Sequence, residues 1–156
     1  DSTNFPKSTR RNRVCTITRT KNQIIMDTVK ATIDTRKYRT EITSKSGNIL
    51  ISDEPQEIGG KNLGFSPFEL LASSLASCTL ITLRMYIDRK AWDVSELSIW
   101  VDFEKNEEHT VSLFSTKILI TGNVDATQKE RILKIAHSCP VHKTLKNTIK
   151  IETSLV

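Results

Sequence analysis

The sequence predicts a single α+β domain whose elements follow the order β-β-β-α-β-β-α-β. Three observations lead to this fold class. Several short segments alternate apolar and polar residues with the period of a strand, and two longer segments repeat apolar residues with the period of a helix. Glycine- and proline-containing stretches separate them. A chain of 156 residues is long enough to bury a hydrophobic core in one domain.

The net charge of +5 is concentrated near the start of the chain. Residues 1–26 contain six basic residues against Asp1 alone, so the charges of the remainder balance. We therefore interpret residues 1–25 as a basic flexible N-terminal extension and residues 26–156 as the domain. Sequence upstream of a true start at Met26, or the remnant of a presequence, are alternatives. The balanced domain is not expected to bind nucleic acid.

The first strands are predicted from Val29 to Ile33, from Arg39 to Ser44 and from Asn48 to Ser52, with a tight turn around Gly47. Together they form a β-meander. The stretch from Asp53 to Phe65 contains one proline and three glycines, which predicts a loop.

A long central helix is predicted next. Ser66 is a suitable N-cap, Pro67 suits the first helical position, and Glu69 can complete a capping box. Apolar residues then recur at helical spacing to about Lys90, and Cys78 lies within this apolar stripe. The helix is therefore expected to belong to the core.

The second half begins with two strands, Leu97 to Phe103 and Val111 to Thr121, joined by a turn. A helix from about Thr127 to Ser138 follows, and Pro140 starts a short helix that ends at Lys146. Alternation at positions 149–153 predicts a last strand.

Several observations bear on the cellular setting. Five serine and threonine residues interrupt the most apolar stretch, so we expect no membrane span. Three cysteines are too few and too sparse for a disulfide framework, which favours a reducing compartment. A cytoplasmic protein is the resulting expectation. Cys15 lies in the N-terminal extension and is interpreted as incidental.

Two cysteines are candidates for chemistry. Cys78 is in the middle of a helix, where burial raises a thiol pKa, so its reactivity would require a cation from elsewhere in the fold. Cys139 precedes Pro140 at a helix N-terminus, a position that favours a thiolate. His137 and His142 are close in sequence, but Cys139 and His142 would supply only half of a metal site.

Two motifs surround the two cysteines. The first comprises Asp53-Glu54-Pro55, Gly59-Gly60, Gly64-Phe65-Ser66-Pro67-Phe68-Glu69-Leu70-Leu71, Ala76-Ser77-Cys78-Thr79 and Thr82-Leu83-Arg84-Met85-Tyr86. The second is Cys139-Pro140-Val141-His142-Lys143-Thr144-Leu145. In this order the two motifs resemble the OsmC/Ohr family, and the resemblance covers residues 28–156.

The resemblance implies an intertwined homodimer that reduces organic hydroperoxides to alcohols. Cys78 would be oxidised to a sulfenic acid and Cys139 would condense with it to a disulfide. An external dithiol, in the family similar to a lipoylated protein, would then restore both thiols. No metal, haem or flavin is implied.

An arginine and a glutamate activate the first cysteine in the family, which suggests Arg39 and Glu69 here, with Arg36 as an alternative. Glu69 stands one position later than the glutamate of the hydroperoxide-resistance branch. It is also explained by the capping box, and the shifted register suggests a less characterised branch.

Two other functions stay open at this point. A non-catalytic protein of the same fold could bind a small ligand or acyl chain in an apolar pocket. A zinc-binding regulator could use the two cysteines and a histidine.

Overall fold

The computed structural model describes residues 26–155 and shows a mixed α+β fold. The predicted extension and Cys15 lie outside these residues. The strands and helices follow the predicted order as far as the short helix that starts at Pro140. They are β1 (Val29–Ile33), β2 (Thr40–Ser44), β3 (Ile49–Ser52), α1 (Pro67–Arg89), β4 (Val94–Lys105), β5 (Ser112–Gly122), α2 (Ala126–Ala136) and α3 (Pro140–Lys146).

Strands β1, β2 and β3 form an antiparallel sheet in the order of the sequence. Gly47 adopts a φ of 88° in the turn between β2 and β3, a conformation that glycine adopts without a Cβ clash. Val29, Ile33 and Ile49 are exposed, and in the described residues this sheet has no extensive packing against a helix. The meander therefore presents apolar surface that one chain does not bury.

The loop after β3 is organised around the carboxylate of Asp53. Its oxygens accept hydrogen bonds from the backbone N–H groups of Tyr38 (3.1 Å), Glu54 (2.9 Å), Lys61 (3.1 Å) and Leu63 (3.2 Å). Burial acts to raise the pKa of Asp53, but these four donors outweigh it and lower the pKa. Asp53 thereby ties the start of β2 to the loop that leads into α1.

Helix α1 begins as predicted and provides the core. The Ser66 hydroxyl accepts from the Glu69 N–H at 3.3 Å, and the Glu69 carboxylate accepts from the Ser66 N–H at 2.7 Å. One face of α1 packs on β4, α2 and α3. Its fully buried Leu83 and Ile87 meet Ile132 of α2, which closes the largest apolar cluster.

The opposite face of α1 is largely uncovered in one chain. Ile81 is 57% exposed and Met85 is 69% exposed. By length and composition α1 is also apolar enough to cross a membrane. The serine and threonine residues within it are therefore weaker evidence against a membrane span than the sequence suggested. Its contacts with β4, α2 and α3 are those of a core helix.

Strands β4 and β5 form a second antiparallel sheet. Arg84 of α1 donates from Nη1 to the Val94 carbonyl at 2.9 Å, which attaches the helix to the start of β4. This long hairpin and α2 enclose the buried side of α1.

The predicted last strand is wrong for this structure. Residues 147–155 contain no strand, although Ile149, Ile151 and Thr153 alternate as a strand would. Alternation shows that a segment could lie on a sheet, but a strand also requires a free edge to pair with, and this segment pairs with neither sheet of the chain. Helix α2 also ends earlier than predicted, at Ala136, because His137 already serves as its C-cap.

Candidate active site

Cys78 lies in the middle of α1 on the side that faces the α2–α3 junction. It is half-buried, and its thiol is free. Helix periodicity places Thr82 one turn later on the same face as Cys78, whereas the adjacent Thr79 is turned about 100° around the helix axis and is buried. The Thr82 hydroxyl donates to the Cys78 carbonyl at 2.7 Å.

Cys139 occupies the short link between α2 and α3, where the following proline prevents the helix from continuing back through it. It is the N-cap of α3, and its Sγ accepts a hydrogen bond from the His142 N–H at 3.3 Å. The side chain is 0% exposed and its thiol is free. Packing of α3 against α1 brings this sulfur to the Cys78 region.

The two thiols meet. Each thiol perturbs the pKa of the other, and the Thr79 hydroxyl acts to lower the pKa of Cys139. Residues that are far apart in the sequence thus form a dithiol pair across the α1–α3 contact. A disulfide requires such proximity, together with suitable Cβ directions.

The surroundings separate the pKa values of the two thiols. Burial acts to raise the pKa of Cys139, but donors from the His142 N–H, the Cys78 thiol and the Thr79 hydroxyl lower it below the ordinary value. Burial and the neighbouring Cys139 raise the pKa of Cys78, against the Val141 N–H that donates to its sulfur. Within one chain, Cys139 is therefore the stronger acid and Cys78 the more accessible thiol.

The arginines predicted to activate Cys78 lie in the meander. Arg39 directly precedes β2 and pairs with Glu41 at 3.6 Å, while Arg36 binds the Asp34 carboxylate, with its Nε 2.8 Å from Oδ2. Within the described part of one chain, neither arginine has a hydrogen bond or ion pair with Cys78. The fold of one chain does not bring the predicted cation to the dithiol pair.

Glu69 is placed at the start of α1, where its carboxylate is occupied by the capping box. The residue has no ion pair with an arginine among residues 26–155. The capping explanation of Glu69 is therefore present in the structure, and its catalytic role stays a prediction.

His137 and His142 are near each other, with ring centroids 5.2 Å apart. In the described residues, however, no group of three His, Cys, Asp or Glu side chains is placed to hold a metal ion. The zinc alternative has no ligand set in this part of the chain.

Sequence reasoning missed the groups that surround the sulfurs. Thr79 and Thr82 form hydrogen bonds to the cysteine pair, yet in the sequence they only interrupt an apolar stretch. Their spacing from Cys78 on a helix was the available signal. No sequence pattern indicated the Val141 N–H, because the position of a backbone donor depends on the tertiary contact.

This combination of an α+β fold with a two-cysteine site defines a class of thiol proteins. The family model of the OsmC-like proteins matches residues 59–154, which include both cysteines. The chain therefore belongs to the OsmC-like family. No curated protein sequence matches it.

Solved structures give the same fold. A candidate osmotic-stress-induced and detoxification-response protein from Psychrobacter arcticus is 27% identical, with a TM-score of 0.66 over 80% of this chain and 91% of that chain. An OsmC-like protein from Mycoplasma pneumoniae is 21% identical, with a TM-score of 0.68 over 80% and 89%. An organic hydroperoxide resistance protein OsmC from Legionella pneumophila is 20% identical, with a TM-score of 0.58 over 80% and 92%.

Proposed function

We propose that the protein is a thiol-dependent peroxidase that reduces organic hydroperoxides. The observation that carries the proposal is the proximity of the Cys78 and Cys139 thiols where α3 packs on α1, close enough for each thiol to perturb the pKa of the other. Family membership supports it, since structurally similar proteins from Legionella pneumophila and Elizabethkingia anophelis are organic hydroperoxide resistance proteins. Two adjacent thiols can supply the two electrons that a peroxide takes up.

Cys78 is the sulfur that attacks first, because it is half-buried while Cys139 has no exposed surface. The Cys78 thiolate attacks one peroxide oxygen, the O–O bond breaks, and the alkoxide leaves as the alcohol after taking up a proton. Cys78 becomes a sulfenic acid. The Cys139 thiolate then attacks that sulfur, the S–O bond breaks, and the leaving hydroxide takes a proton from solvent and departs as water, which leaves the disulfide.

The lowered pKa of Cys139 suits this second step, because the resolving group must attack as a thiolate. An external dithiol of the lipoyl class then reduces the disulfide by two thiol exchanges and becomes a cyclic disulfide itself. The cycle needs no metal or flavin to balance its electrons.

Because the pKa of Cys78 is raised, a nearby cation is needed to stabilise its thiolate. We assign this role to Arg39 of a second copy in an intertwined homodimer. The uncovered apolar meander and the exposed Ile81–Met85 face of α1 are the surfaces that such a dimer would bury. A guanidinium next to Cys78 would stabilise both the thiolate and the polarised peroxide.

Peroxidase activity is tested by consumption of cumene hydroperoxide with dihydrolipoamide as reductant. Cys78→Ser is expected to abolish turnover. Cys139→Ser should complete one reduction and then stop, with a sulfenic acid at Cys78 that dimedone traps. Cys15→Ser is the matched control and should keep full activity. Full turnover by Cys78→Ser would refute the mechanism.

The origin of the arginine is tested by mixing two inactive variants, Cys78→Ser and Arg39→Gln. If Arg39 acts across a dimer, each mixed dimer contains one complete site, so activity should reappear after subunit exchange. Arg36→Gln is the comparison variant, since Arg36 is the alternative cation; loss of activity in Arg36→Gln with full activity in Arg39→Gln would assign the role to Arg36. Activity that stays absent in a proven mixed dimer would exclude the assignment across the dimer.

A catalytic role of Glu69 can be tested separately from its role in the helix cap, since glutamine also completes a capping box. Glu69→Gln should leave the melting temperature unchanged. A fall in kcat/KM with an unchanged fold would support a role in holding the arginine, whereas wild-type turnover would leave Glu69 as a cap alone.

A further inference from the structure

A cavity of about 340 Å³ lies between α1, β5, α2 and α3, on a side of α1 that adjoins the cysteine pair. This volume is at the lower end of the range for small-molecule sites, about 300–1,000 Å³. Most of its wall is apolar and comes from four different elements. The apolar lining residues are Leu75, Phe114, Ile118, Leu133, Ala136 and Leu145.

One part of the lining is basic. His137, at the end of α2, and His142 and Lys146, on α3, all line the cavity. The two imidazole rings are 5.2 Å apart. Burial lowers the pKa of His142, and the neighbouring His137 and Lys146 lower it further.

These basic groups have no acidic counterpart. None of the described residues that line the cavity is an aspartate or a glutamate. In residues 26–155, none of the three forms an ion pair with a carboxylate. Because acidic and basic residues balance in the chain after residue 26, the basic end is a local feature and not part of a generally positive surface.

We propose that this cavity binds an anionic amphiphile, a molecule with an apolar chain and a terminal carboxylate. The chain lies among Leu75, Phe114 and Leu133, and the carboxylate lies against the basic end. A site that combines apolar side chains with convergent polar groups is the usual form of a small-ligand site, and here Thr79, Ser112 and Thr116 add hydroxyl groups to the lining. A polyanion would leave most of its charge against the apolar wall, at a high desolvation cost.

The site is separate from the sulfurs but adjacent to them. Thr79 and His142 line the cavity, and both also donate a hydrogen bond to Cys139. The proposed ligand therefore contacts residues that hold the resolving thiol, without having to be the reacting peroxide. The inference extends the proposed function and does not depend on peroxidase activity.

Binding is measured by isothermal titration calorimetry with decanoate and with decanol, which share a chain length and differ in charge. The full chain should bind decanoate about tenfold more tightly than decanol, a difference that corresponds to about 1.4 kcal/mol. Decylamine should bind more weakly than either.

Lys146→Met keeps the length of the stem and removes the charge, so it should reduce the affinity for decanoate to that for decanol. Lys143→Met is the matched control, because Lys143 lies on the same helix and does not line the cavity. Leu133→Trp fills the apolar part from an exposed position and should weaken the binding of both probes.

Equal affinity for decanoate and decanol would overturn the proposal, as would an equal loss from Lys143→Met and Lys146→Met. Absence of any binding would overturn it as well. Failure of the proposed function is distinguishable, because a protein without peroxide turnover can still bind decanoate with this pattern of variants.

Discussion

Replacement of Thr79 with valine changes one hydroxyl next to the cysteine pair and preserves the shape of the side chain. Thr79 is buried, and its hydroxyl donates to the Cys139 sulfur. The variant should therefore raise the pKa of Cys139, because the thiolate loses a donor.

The magnitude follows from the strength of the lost interaction. A hydrogen bond to a charged group contributes about 1.5–3 kcal/mol, and sulfur is a weak acceptor, so we take the lower end. About 1.4 kcal/mol corresponds to a factor of ten in an equilibrium. We expect the ratio of thiolate to thiol at Cys139 to fall about tenfold at a given pH.

The assay is the pH dependence of thiolate absorbance, combined with iodoacetamide labelling and mass spectrometry of the individual cysteine peptides. A Cys15→Ser background removes the unrelated thiol. Thr82→Val is the companion variant. The Thr82 hydroxyl donates to the Cys78 carbonyl at 2.7 Å and acts to lower the pKa of the Cys78 thiol, so its removal should raise that pKa. Thr144→Val is the neutral control, since Thr144 bonds only to the Pro140 carbonyl.

Thiolate titration that is the same in Thr79→Val and wild type would refute the reasoning, because the thiolate of Cys139 would then not depend on the hydroxyl. An equal change in Thr144→Val would also refute it. The two thiols are in contact, so both titration steps belong to the pair, and the labelling data are needed to separate them.

Three further predictions concern the frame that positions the site. Asp53→Asn should lower the melting temperature at neutral pH, because an amide cannot accept from all four backbone donors. The pKa of Asp53 is lowered from 3.8, so its contribution is complete above that pH and is lost as the pH falls through the folded value; the difference between variant and wild type should shrink in acid. Ser66→Ala should cost about 1 kcal/mol of unfolding free energy in urea denaturation, and a cost near zero would contradict the importance of the cap. Leu83→Ala should cost about 2–5 kcal/mol in the same measurement, since the side chain is fully buried and leaves a cavity; a loss below 1 kcal/mol would show that the core around α1 is loosely packed.

The sequence by itself determined the elements whose signals are local. The capping box of Ser66 and Glu69, the helical spacing around Cys78 and the proline after Cys139 depend on neighbours within a few residues, and the structure contains each of them. The direction of both thiol pKa shifts also followed from local position, with one sulfur inside a helix and the other at a helix start.

The predicted last strand shows the limit of what local sequence patterns can predict. Alternation at Ile149 and Ile151 was present, but a strand is completed by a partner edge, and a sequence pattern carries no information on which edges are free. Arg39 is a similar case, because its residue type suits the proposed role while its position relative to Cys78 depends on contacts that no local pattern encodes.

Only the tertiary structure decided that the two sulfurs meet. Proximity of Cys78 and Cys139 requires α3 to pack on α1, and the buried Leu83 and Ile132 join α1 to α2, the helix that leads into Cys139 and α3. The same packing encloses the cavity and gathers His137, His142 and Lys146 at one end of it. Such placements depend on the burial of residues that are distant in the sequence, because the hydrophobic effect is non-directional and depends on the apolar area buried in the whole core.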